Sequence, residues 1–209
     1  IASCRNLFEK IGTKVSVASA ESLRIATDKG NFYNYLSSSG IPFAEFAVVD
    51  DEQNLQNAAY EIGYPNKPIC VKVLNGAGSR GFRIIDENFD FRRNYIYEKP
   101  SSRYTTMNFF LKNIYEDGMK VAVQEFLSGD EYSIDLLADN GKSMVICGRR
   151  NPLVINSIPQ KSIVERNAQA YFYAEKIVSD LKLDGNVGID FIFKDNIPIP
   201  IEVNARITA

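Results

Sequence analysis

Hydrophobic and polar residues alternate along two consecutive runs near the end of the chain. The alternating apolar positions are Val187, Ile189, Phe191 and Phe193, and then Ile197, Ile199, Ile201 and Val203. A period of two residues predicts two strands, each with one apolar face. The opposite face of this predicted hairpin carries Asp190 from the first strand and Glu202 and Asn204 from the second.

The register of this hairpin decides whether its polar side chains meet. A three-residue turn at residues 194–196 puts Asp190 opposite Pro200 and diagonal to Glu202. Two carboxylates and the amide of Asn204 form a set of hard oxygen ligands, which suits Mg²⁺ better than Zn²⁺. The same alternation is also typical of a hairpin with one solvated face, so the rest of the chain has to decide.

Period-two patterns predict five further strands outside the glycine-rich segment, at residues 14–19, 46–49, 121–127, 131–138 and 144–150. In the strand at 131–138, Glu131, Ser133 and Asp135 share the face opposite the apolar positions. The connector before this strand contains Gly129, which predicts a hinge between two lobes whose free backbone groups can bind an adenine edge.

Capping residues and a period of 3.6 predict helices at residues 5–11, from residue 20, and at 29–39, 52–62, 104–115 and 167–182. Ser19 and Asp28 are expected N-caps, and Gly63 ends the 52–62 helix. Lys29 falls in a first turn, where the helix dipole disfavours a cation, so it is either solvated or faces a phosphate. Residues 86–102 are predicted to be irregular.

A glycine-rich segment with Gly76, Gly78 and Gly81 matches the spacing G-x-G-x-x-G. The dinucleotide fold needs a helix after the last glycine, whereas residues 82–85 are β-branched and short. We therefore predict a hairpin whose tip can close over phosphates, or else a plain glycine-rich turn. Lys72 lies on the strand before the loop, where a half-buried cation calls for an anion.

Composition excludes several classes of chemistry. The 209 residues include no histidine, which rules out a Ser-His-Asp triad and a His-based zinc site. A net charge of −2 argues against a nucleic-acid or anionic-membrane surface as the main partner. No apolar run approaches the roughly 20 residues needed to span a bilayer. The 3 scattered cysteines fit a reducing compartment, so we expect a cytoplasmic protein.

The order of these features resembles the ATP-grasp superfamily, and most of all the large-subunit branch of carbamoyl-phosphate synthase. It runs from the hairpin with Lys72, through residues 124–127 and Glu131, to the residues 190–206. The resemblance implies an α+β fold in which two lobes with antiparallel sheets grip ATP. It also implies a remnant of a preceding domain at residues 1–26, a first lobe with the glycine lid at 27–125, and a second lobe with the metal site at 126–209. Because the chain starts inside a predicted helix, we expect a fragment of a longer enzyme.

The resemblance also implies a role for each matching residue. The phosphates of ATP would be bound by Lys29, Lys72 and the loop residues Gly76, Ala77, Gly78, Ser79 and Gly81. The adenine edge would be met by Glu125, Phe126 and Leu127, and the ribose by Glu131. Mg²⁺, with Mn²⁺ as the alternative ion, would be bound by Asp190, Glu202 and Asn204. Arg206 would be the catalytic cation beside the transferred phosphoryl group. The family's usual Asn-Pro-Arg reads Asn-Ala-Arg at residues 204–206, which keeps the ligands.

The activity that these roles imply is an ATP-dependent ligase. A carboxylate or bicarbonate-like substrate would become an acyl phosphate, which an amine or another nucleophile then captures, as in a carbamoyl-phosphate synthase. Two other hypotheses are an ATP-binding regulatory module that does not ligate and a stand-alone small-molecule kinase. We expect no nucleic-acid partner and no membrane partner, and a homodimer stays open.

Overall fold

The protein is described by a computed structural model that covers residues 1–74, 81–97, 103–155 and 158–207. It forms two compact units, one of Ile1–Phe43 with Leu127–Ala209 and one of Ala44–Phe126. Each unit contains helices and one five-stranded sheet, so the fold is α+β, as predicted. No helix in these ranges is both long and apolar enough to cross a membrane.

Seven α-helices are described, after a short 3₁₀ helix at Ala2–Cys4: α1 Arg5–Lys10, α2 Ala20–Thr27, α3 Lys29–Ser39, α4 Glu52–Ile62, α5 Phe91–Tyr97, α6 Met107–Asn113 and α7 Ala168–Asp180. The ten described strands are β1 Phe46–Val49, β2 Ile69–Val73, β3 Phe82–Ile85, β4 Tyr104–Thr105, β5 Val121–Glu125, β6 Glu131–Asp139, β7 Lys142–Ile155, β8 Ile158–Val164, β9 Gly185–Lys194 and β10 Ile197–Asn204.

Side-chain caps determine where two of the helices begin. The carboxylate of Asp28 accepts a hydrogen bond from the Asn31 amide (2.8 Å), and Asp51 does the same for Asn54 (2.8 Å). These bonds satisfy amides that have no partner inside the first turn. The ranges predicted for α3 and α4 are therefore confirmed residue by residue.

In the unit Ala44–Phe126 the strand order is β1-β5-β2-β3-β4. The strands β2 and β3 pair antiparallel from Ile69 with Ile85 to Lys72 with Phe82, so the glycine loop joins two strands. This confirms the rejection of a dinucleotide fold. The core of the unit is formed by α4, α6 and the central strands, with Leu55, Ile69, Ile85, Phe110 and Val123 among its buried residues.

In the unit Ile1–Phe43 with Leu127–Ala209 the strand order is β10-β9-β6-β7-β8, and every neighbouring pair is antiparallel. The helix α7 contacts β6, β7 and β10. The predicted inward stripe of this helix is buried and consists of Ala170, Ala174, Ile177 and Leu181. The apolar positions of β6 are also buried, namely Tyr132, Ile134 and Leu136. The apolar side of the sheet is thereby covered, and the polar side chains of β6, β9 and β10 lie on the other side.

The division of the chain differs from the predicted boundaries at residues 27 and 126. Residues 27–43 belong to the same unit as 127–209. Two tyrosines of α3 account for this, because Tyr33 Oη donates to the Ile201 carbonyl (3.3 Å) and Tyr35 Oη donates to Asp180 Oδ2 (2.9 Å). The origin of residues 1–26 in a preceding domain stays a prediction.

Three local predictions were wrong. Residues 14–19 form no strand, and the Val17 carbonyl accepts from Arg5 Nη1 (3.1 Å) instead of from a neighbouring strand. Residues 86–102, predicted irregular, contain α5, whose first turn is capped by Asp90 through the Arg93 amide (2.8 Å). The helix predicted from residue 104 starts at Met107, because Tyr104 and Thr105 pair with β3.

The strand β8 was missed, and β7 is longer than the predicted 144–150. In β8 the residues Pro159, Gln160 and Lys161 follow one another and interrupt the alternation that marks a strand. Proline in a sheet is confined to edges, and β8 is the edge strand beside β7. The interrupted alternation therefore gave no strand prediction, although an edge position tolerates this proline.

The β9–β10 hairpin has a different register from the predicted one. Its turn has two residues, Asp195 (φ 51°) and Asn196 (φ 66°), and Lys194 pairs with Ile197. Positive φ at both positions matches the twist of the flanking strands. A register shift between Pro200 and Glu202 then takes up one residue, so that Glu202 lies directly opposite Asp190.

Candidate functional site

Polar residues form a cross-strand row on the face of the sheet away from α7. The row runs from Glu202 on β10 through Asp190 on β9 and Ser133 on β6 to Arg149 on β7. Residues that are opposite in neighbouring strands point to the same face. The register shift in β10 is therefore what brings Glu202 to the side of Asp190.

The three predicted metal ligands converge on this face. Asp190 Oδ2 accepts a hydrogen bond from Asn204 Nδ2 (3.3 Å), and Asp190 Oδ1 accepts from Ser133 Oγ (2.7 Å). The side chain of Glu202 is 46% exposed, whereas Asp190 is partly buried. The set thus has one constrained carboxylate, one accessible carboxylate and one amide.

Electrostatics make Asp190 an unusual carboxylate. Burial raises the pKa of Asp190, and the nearby Glu202 carboxylate raises it further. The hydrogen bond from Ser133 and the positive charges of Arg149 and Arg206 act in the opposite direction but do not cancel the rise. Two carboxylates side by side disfavour double ionisation, and a bound cation would relieve this.

Two predicted cations lie beside the carboxylates. Lys29 Nζ, at the start of α3, is 4.0 Å from Glu202 Oε1, and its side chain is 18% exposed. Arg206 Nη2 donates to Asn204 Oδ1 (3.2 Å), and the Arg206 side chain is exposed. Positive charge next to hard oxygen ligands is the arrangement expected where a metal-bound polyphosphate binds.

The polar face contains residues that the sequence analysis did not predict as part of the site. Asn151 Nδ2 donates to Ser133 Oγ (3.0 Å), and Ser162 Oγ donates to Asn151 Oδ1 (2.7 Å). Asp135 is ion-paired with Arg149. The period of β6 already placed Ser133 and Asp135 on this face. Asn151 lies just beyond the end of the strand predicted at 144–150, and Ser162 lies on β8, which was not predicted.

The connector before β6 is attached to β9. The Phe193 amide donates to the Asp130 carbonyl (3.1 Å), and a Cβ at Gly129 would lie 1.8 Å from the Phe193 carbonyl oxygen. The expectation of free backbone groups in this connector is therefore wrong for the Asp130 carbonyl. Leu127 is buried, and Glu131 lies opposite Asn151 and Ile192 on the polar face.

The other unit contains the second group of predicted residues. Lys72 Nζ on β2 donates to Gln124 Oε1 on β5 (2.6 Å) and lies 6.0 Å from the centre of the Phe82 ring. The Glu125 amide donates to the Glu45 carbonyl (2.9 Å), and the partly buried Phe126 follows it. Gln124 is 2% exposed and holds the ammonium group of Lys72 in place. It was not predicted as a site residue.

Gly81 is the residue of the predicted phosphate loop that lies within the described part of the chain. Gly81 has φ +73°, and a Cβ there would lie 2.8 Å from Val73 Cγ2, so both the backbone angle and the space require glycine. The Val73 amide donates to the Gly81 carbonyl (2.9 Å), which closes the base of the hairpin. The predicted residues Gly76, Ala77, Gly78 and Ser79 lie outside the described residues.

The donor set on the polar face fits a hard divalent cation. Among the residues that the structure describes, no three Cys, Asp or Glu side chains come together as a metal cluster, so such a site would need the amide oxygen of Asn204. Oxygen ligands that leave room for water and phosphate suit Mg²⁺, which prefers one or two carboxylates to an all-protein cage. Asp190 and Glu202 supply the two carboxylates. The amide of Asn204 donates from Nδ2 to Asp190 and accepts at Oδ1 from Arg206, so it would have to turn its oxygen towards the ion.

Comparison with known proteins gives concordant matches. The carbamoyl phosphate synthase large chain of Agathobacter rectalis is 26% identical over 207 residues, which cover 94% of this chain and 18% of the synthase. An ATP complex of D-alanine–D-alanine ligase from Bacillus anthracis superposes with a TM-score of 0.63 at 20% identity, over 98% of this chain and 63% of the ligase. The biotin carboxylase domain of Hydrogenobacter thermophilus 2-oxoglutarate carboxylase, in complex with MgADP and bicarbonate, superposes with a TM-score of 0.70 at 19% identity. This match covers 99% of this chain and 46% of the biotin carboxylase chain.

The chain thus spans less than a fifth of the length of the synthase that it matches. The structural likenesses, all at low identity, concern the fold: two units with antiparallel sheets and helices. A family model for the ATP-grasp domain matches residues 26–209, which include both sheets and every residue of the polar face. The chain belongs to the ATP-grasp family.

Proposed function

We propose that this chain is the ATP- and Mg²⁺-binding domain of a ligase that activates a carboxylate as an acyl phosphate. The observation that carries the proposal is the convergence of Asp190, Glu202 and Asn204 on one face, with Lys29 Nζ 4.0 Å from Glu202. Membership of the ATP-grasp family supports the nucleotide, and the hard oxygen donors support Mg²⁺ or Mn²⁺ as its counter-ion.

The proposal gives a task to the three predicted metal ligands and to the two cations beside them. Asp190, Glu202 and Asn204 hold the cation, which when bound neutralises charge on the phosphate oxygens. Lys29 and Arg206 lie beside these ligands and orient the terminal phosphate. Such positioning and charge neutralisation are most of what phosphoryl transfer needs from a protein, so a chain without histidine can support it.

The remaining predicted residues bind the rest of the nucleotide. Lys72, placed by Gln124, contacts phosphate together with the glycine-rich segment that ends at Gly81. Residues 125–127 bind the adenine edge and Glu131 binds the ribose hydroxyls. These assignments rest on the family resemblance and on the positions of the residues in their strands.

The proposed reaction has two steps. An oxygen of the carboxylate or bicarbonate substrate bonds to the γ-phosphorus of ATP while the bond to the bridging oxygen breaks and ADP leaves. An amine or another nucleophile then attacks the acyl carbon, loses a proton and expels inorganic phosphate. The nature of the relatives, a carbamoyl phosphate synthase and a D-alanine–D-alanine ligase, supports this substrate class.

Formation of ADP tests the proposal. The chain, incubated with Mg-ATP, bicarbonate or a panel of small carboxylates, and ammonia or an amine, is expected to release ADP and phosphate faster than with Mg-ATP alone. Glu202→Gln should abolish that increase, and Glu52→Gln on α4 should not. Tight Mg-ATP binding with no substrate-dependent ADP would contradict the ligase and favour a nucleotide-binding module.

A further inference from the structure

Four strands of one sheet are linked by a continuous series of side-chain hydrogen bonds that ends on Asp190. Ser162 Oγ on β8 donates to Asn151 Oδ1 on β7 (2.7 Å), and Asn151 Nδ2 donates to Ser133 Oγ on β6 (3.0 Å). Ser133 Oγ donates in turn to Asp190 Oδ1 on β9 (2.7 Å). We call Ser162, Asn151 and Ser133 the serine-asparagine relay.

The chemistry of the groups fixes the direction of this relay. An amide oxygen only accepts and an amide nitrogen only donates, so the bond from Ser162 turns the nitrogen of Asn151 towards Ser133. The oxygen of Ser133 accepts from that nitrogen and keeps its own proton for the carboxylate. An ionised Asp190 can only accept, so every bond in the series has one possible direction.

Burial constrains the two inner members of the relay, Asn151 and Ser133. Asn151 is 3% exposed and Ser133 is 6% exposed, so neither has water as an easy alternative partner. Breaking one bond would leave a buried polar group without its partner, which is costly. The relay therefore holds Asp190 Oδ1 on the side of β6 and leaves Oδ2 on the side of β10.

The second oxygen of Asp190, Oδ2, lies on the same side as the other proposed ligands. Asp190 Oδ2 accepts from Asn204 Nδ2 (3.3 Å), and Glu202 is directly opposite in the register. We infer that the relay is a positioning device, in which Ser133 orients Asp190 so that its Oδ2 faces a divalent cation together with Glu202 and Asn204. This inference rests on the proposed function, because it assigns a task to residues that do not touch the ligand.

Mn²⁺ binding in the presence of a saturating non-hydrolysable ATP analogue tests the inference, with free Mn²⁺ followed by electron paramagnetic resonance. Partners that orient metal ligands are typically worth 10-fold to 100-fold in metal affinity, so Ser133→Ala should weaken Mn²⁺ binding by about 10-fold or more. Ser133→Thr keeps the hydroxyl and should retain most of the parent's affinity. Ser162→Ala removes only the outer donor on an edge strand and should give a smaller loss in the same direction.

A matched control is available on β7. The hydroxyl of Ser143 is buried and has no hydrogen-bond partner among the described residues, so Ser143→Ala removes a serine hydroxyl from the same sheet without touching the relay. This variant should bind Mn²⁺ like the parent. Binding of a fluorescent ADP without metal should be the same in all four variants, because the relay acts on the cation.

Distinct results would overturn the inference and the proposed function. If the parent binds Mn²⁺ with the nucleotide and Ser133→Ala binds it equally well, the relay only satisfies buried polar groups and the inference fails alone. A loss of metal-free ADP binding and of melting temperature that matches the loss of Mn²⁺ affinity would also reduce the relay to a structural role. If the parent itself shows no nucleotide-dependent Mn²⁺ site, the inference and the proposed metal site fail together.

Discussion

At the scale of single residues, Asp190 has one side packed in the sheet and the other side next to the other proposed metal ligands. It is buried against Ser133 on one side and lies opposite Glu202 on the other, and burial together with the Glu202 charge raises its pKa. Folding therefore disfavours the ionised form of Asp190. A carboxylate whose ionisation is disfavoured by folding and which two hydrogen bonds nevertheless hold in place is typical of a functional site.

The raised pKa of Asp190 predicts how the stability of the fold depends on pH. A carboxyl whose pKa is higher in the folded state stabilises the fold while it is protonated, and that contribution is lost as the pH rises through the folded-state pKa. Asp190→Asn cannot ionise, so without metal its melting temperature at pH 7 should equal or exceed that of the parent. The advantage of the variant should disappear at a pH below the unfolded carboxyl pKa of about 3.9.

Thermal denaturation at a series of pH values, with chelator present, provides the measurement. Glu52→Gln is the control, since it makes the same acid-to-amide change on α4 and should stay within about 0.5 kcal/mol of the parent, as surface substitutions usually do. If Asp190→Asn lost stability relative to the parent as the pH rose from 4 to 7, Asp190 would be a stabilising carboxylate, and the electrostatic argument would be wrong.

At the scale of elements, the sequence predicted the parts of the structure that local chemistry controls. The bounds of α3 and the end of α4 followed from Asp28, Gly40 and Gly63, because caps act within one turn. The structure adds Asp51 as the cap that begins α4. The faces of β6 and β9 followed from the period of two. The β9–β10 register was wrong because a two-residue turn and a compensating shift near Pro200 are decided by twist and packing, which no local pattern encodes.

The same distinction applies to the site. Asp190, Glu202 and Asn204 were predicted because they alternate with apolar residues, and the structure brings them together. Asn151 and Ser162 were missed because they meet Ser133 only through the order of strands in the sheet. Contacts between strands that are distant in sequence are the part of the site that periodicity cannot supply.

The hydrogen bond between Tyr35 of α3 and Asp180 of α7 predicts how the stability of the fold depends on pH. Asp180 accepts hydrogen bonds from Tyr35 Oη and from Lys176 Nζ, each at 2.9 Å. Burial opposes ionisation of Asp180, but these two bonds outweigh it and lower the pKa of Asp180. A carboxyl with a lowered pKa contributes stability above its unfolded pKa, and the contribution is lost as the pH falls through the folded-state pKa.

Tyr35→Phe removes one of these bonds and should lower the free energy of unfolding at pH 7 by about 1 kcal/mol or less, because the pair is partly solvated. The loss should shrink in acid, where Asp180 is protonated in both states. Tyr95→Phe, at a side chain that is 81% exposed on α5, is the matched control and should have no effect. Chemical denaturation at pH 7 and at a series of pH values that decreases from the unfolded carboxyl pKa of about 3.9 measures both variants. A loss that stays the same as the pH falls through this series would show that the bond to the ionised Asp180 is not the cause.

At the scale of the whole molecule, the predicted residues are distributed over both compact units. Lys72 and Glu125 lie in the unit Ala44–Phe126, whereas Lys29, Glu131 and the proposed metal ligands lie in the other. No single motif predicts this distribution, which follows from the order of all the motifs along the chain and its resemblance to one family. The family match over residues 26–209 confirms the fold, while the substrate and the acceptor belong to the proposed function.

The most direct test of the central claim is the melting temperature of the parent and Glu202→Gln with and without Mg-ATP. A ligand at about 100 times its dissociation constant stabilises a fold by about 2.7 kcal/mol, so Mg-ATP should raise the melting temperature of the parent clearly. NAD should not, because the glycine loop joins two strands. Glu202→Gln should lose most of the shift, while Glu52→Gln keeps it. If Glu202→Gln responded to Mg-ATP like the parent, the polar face around Asp190 would not be the metal-nucleotide site.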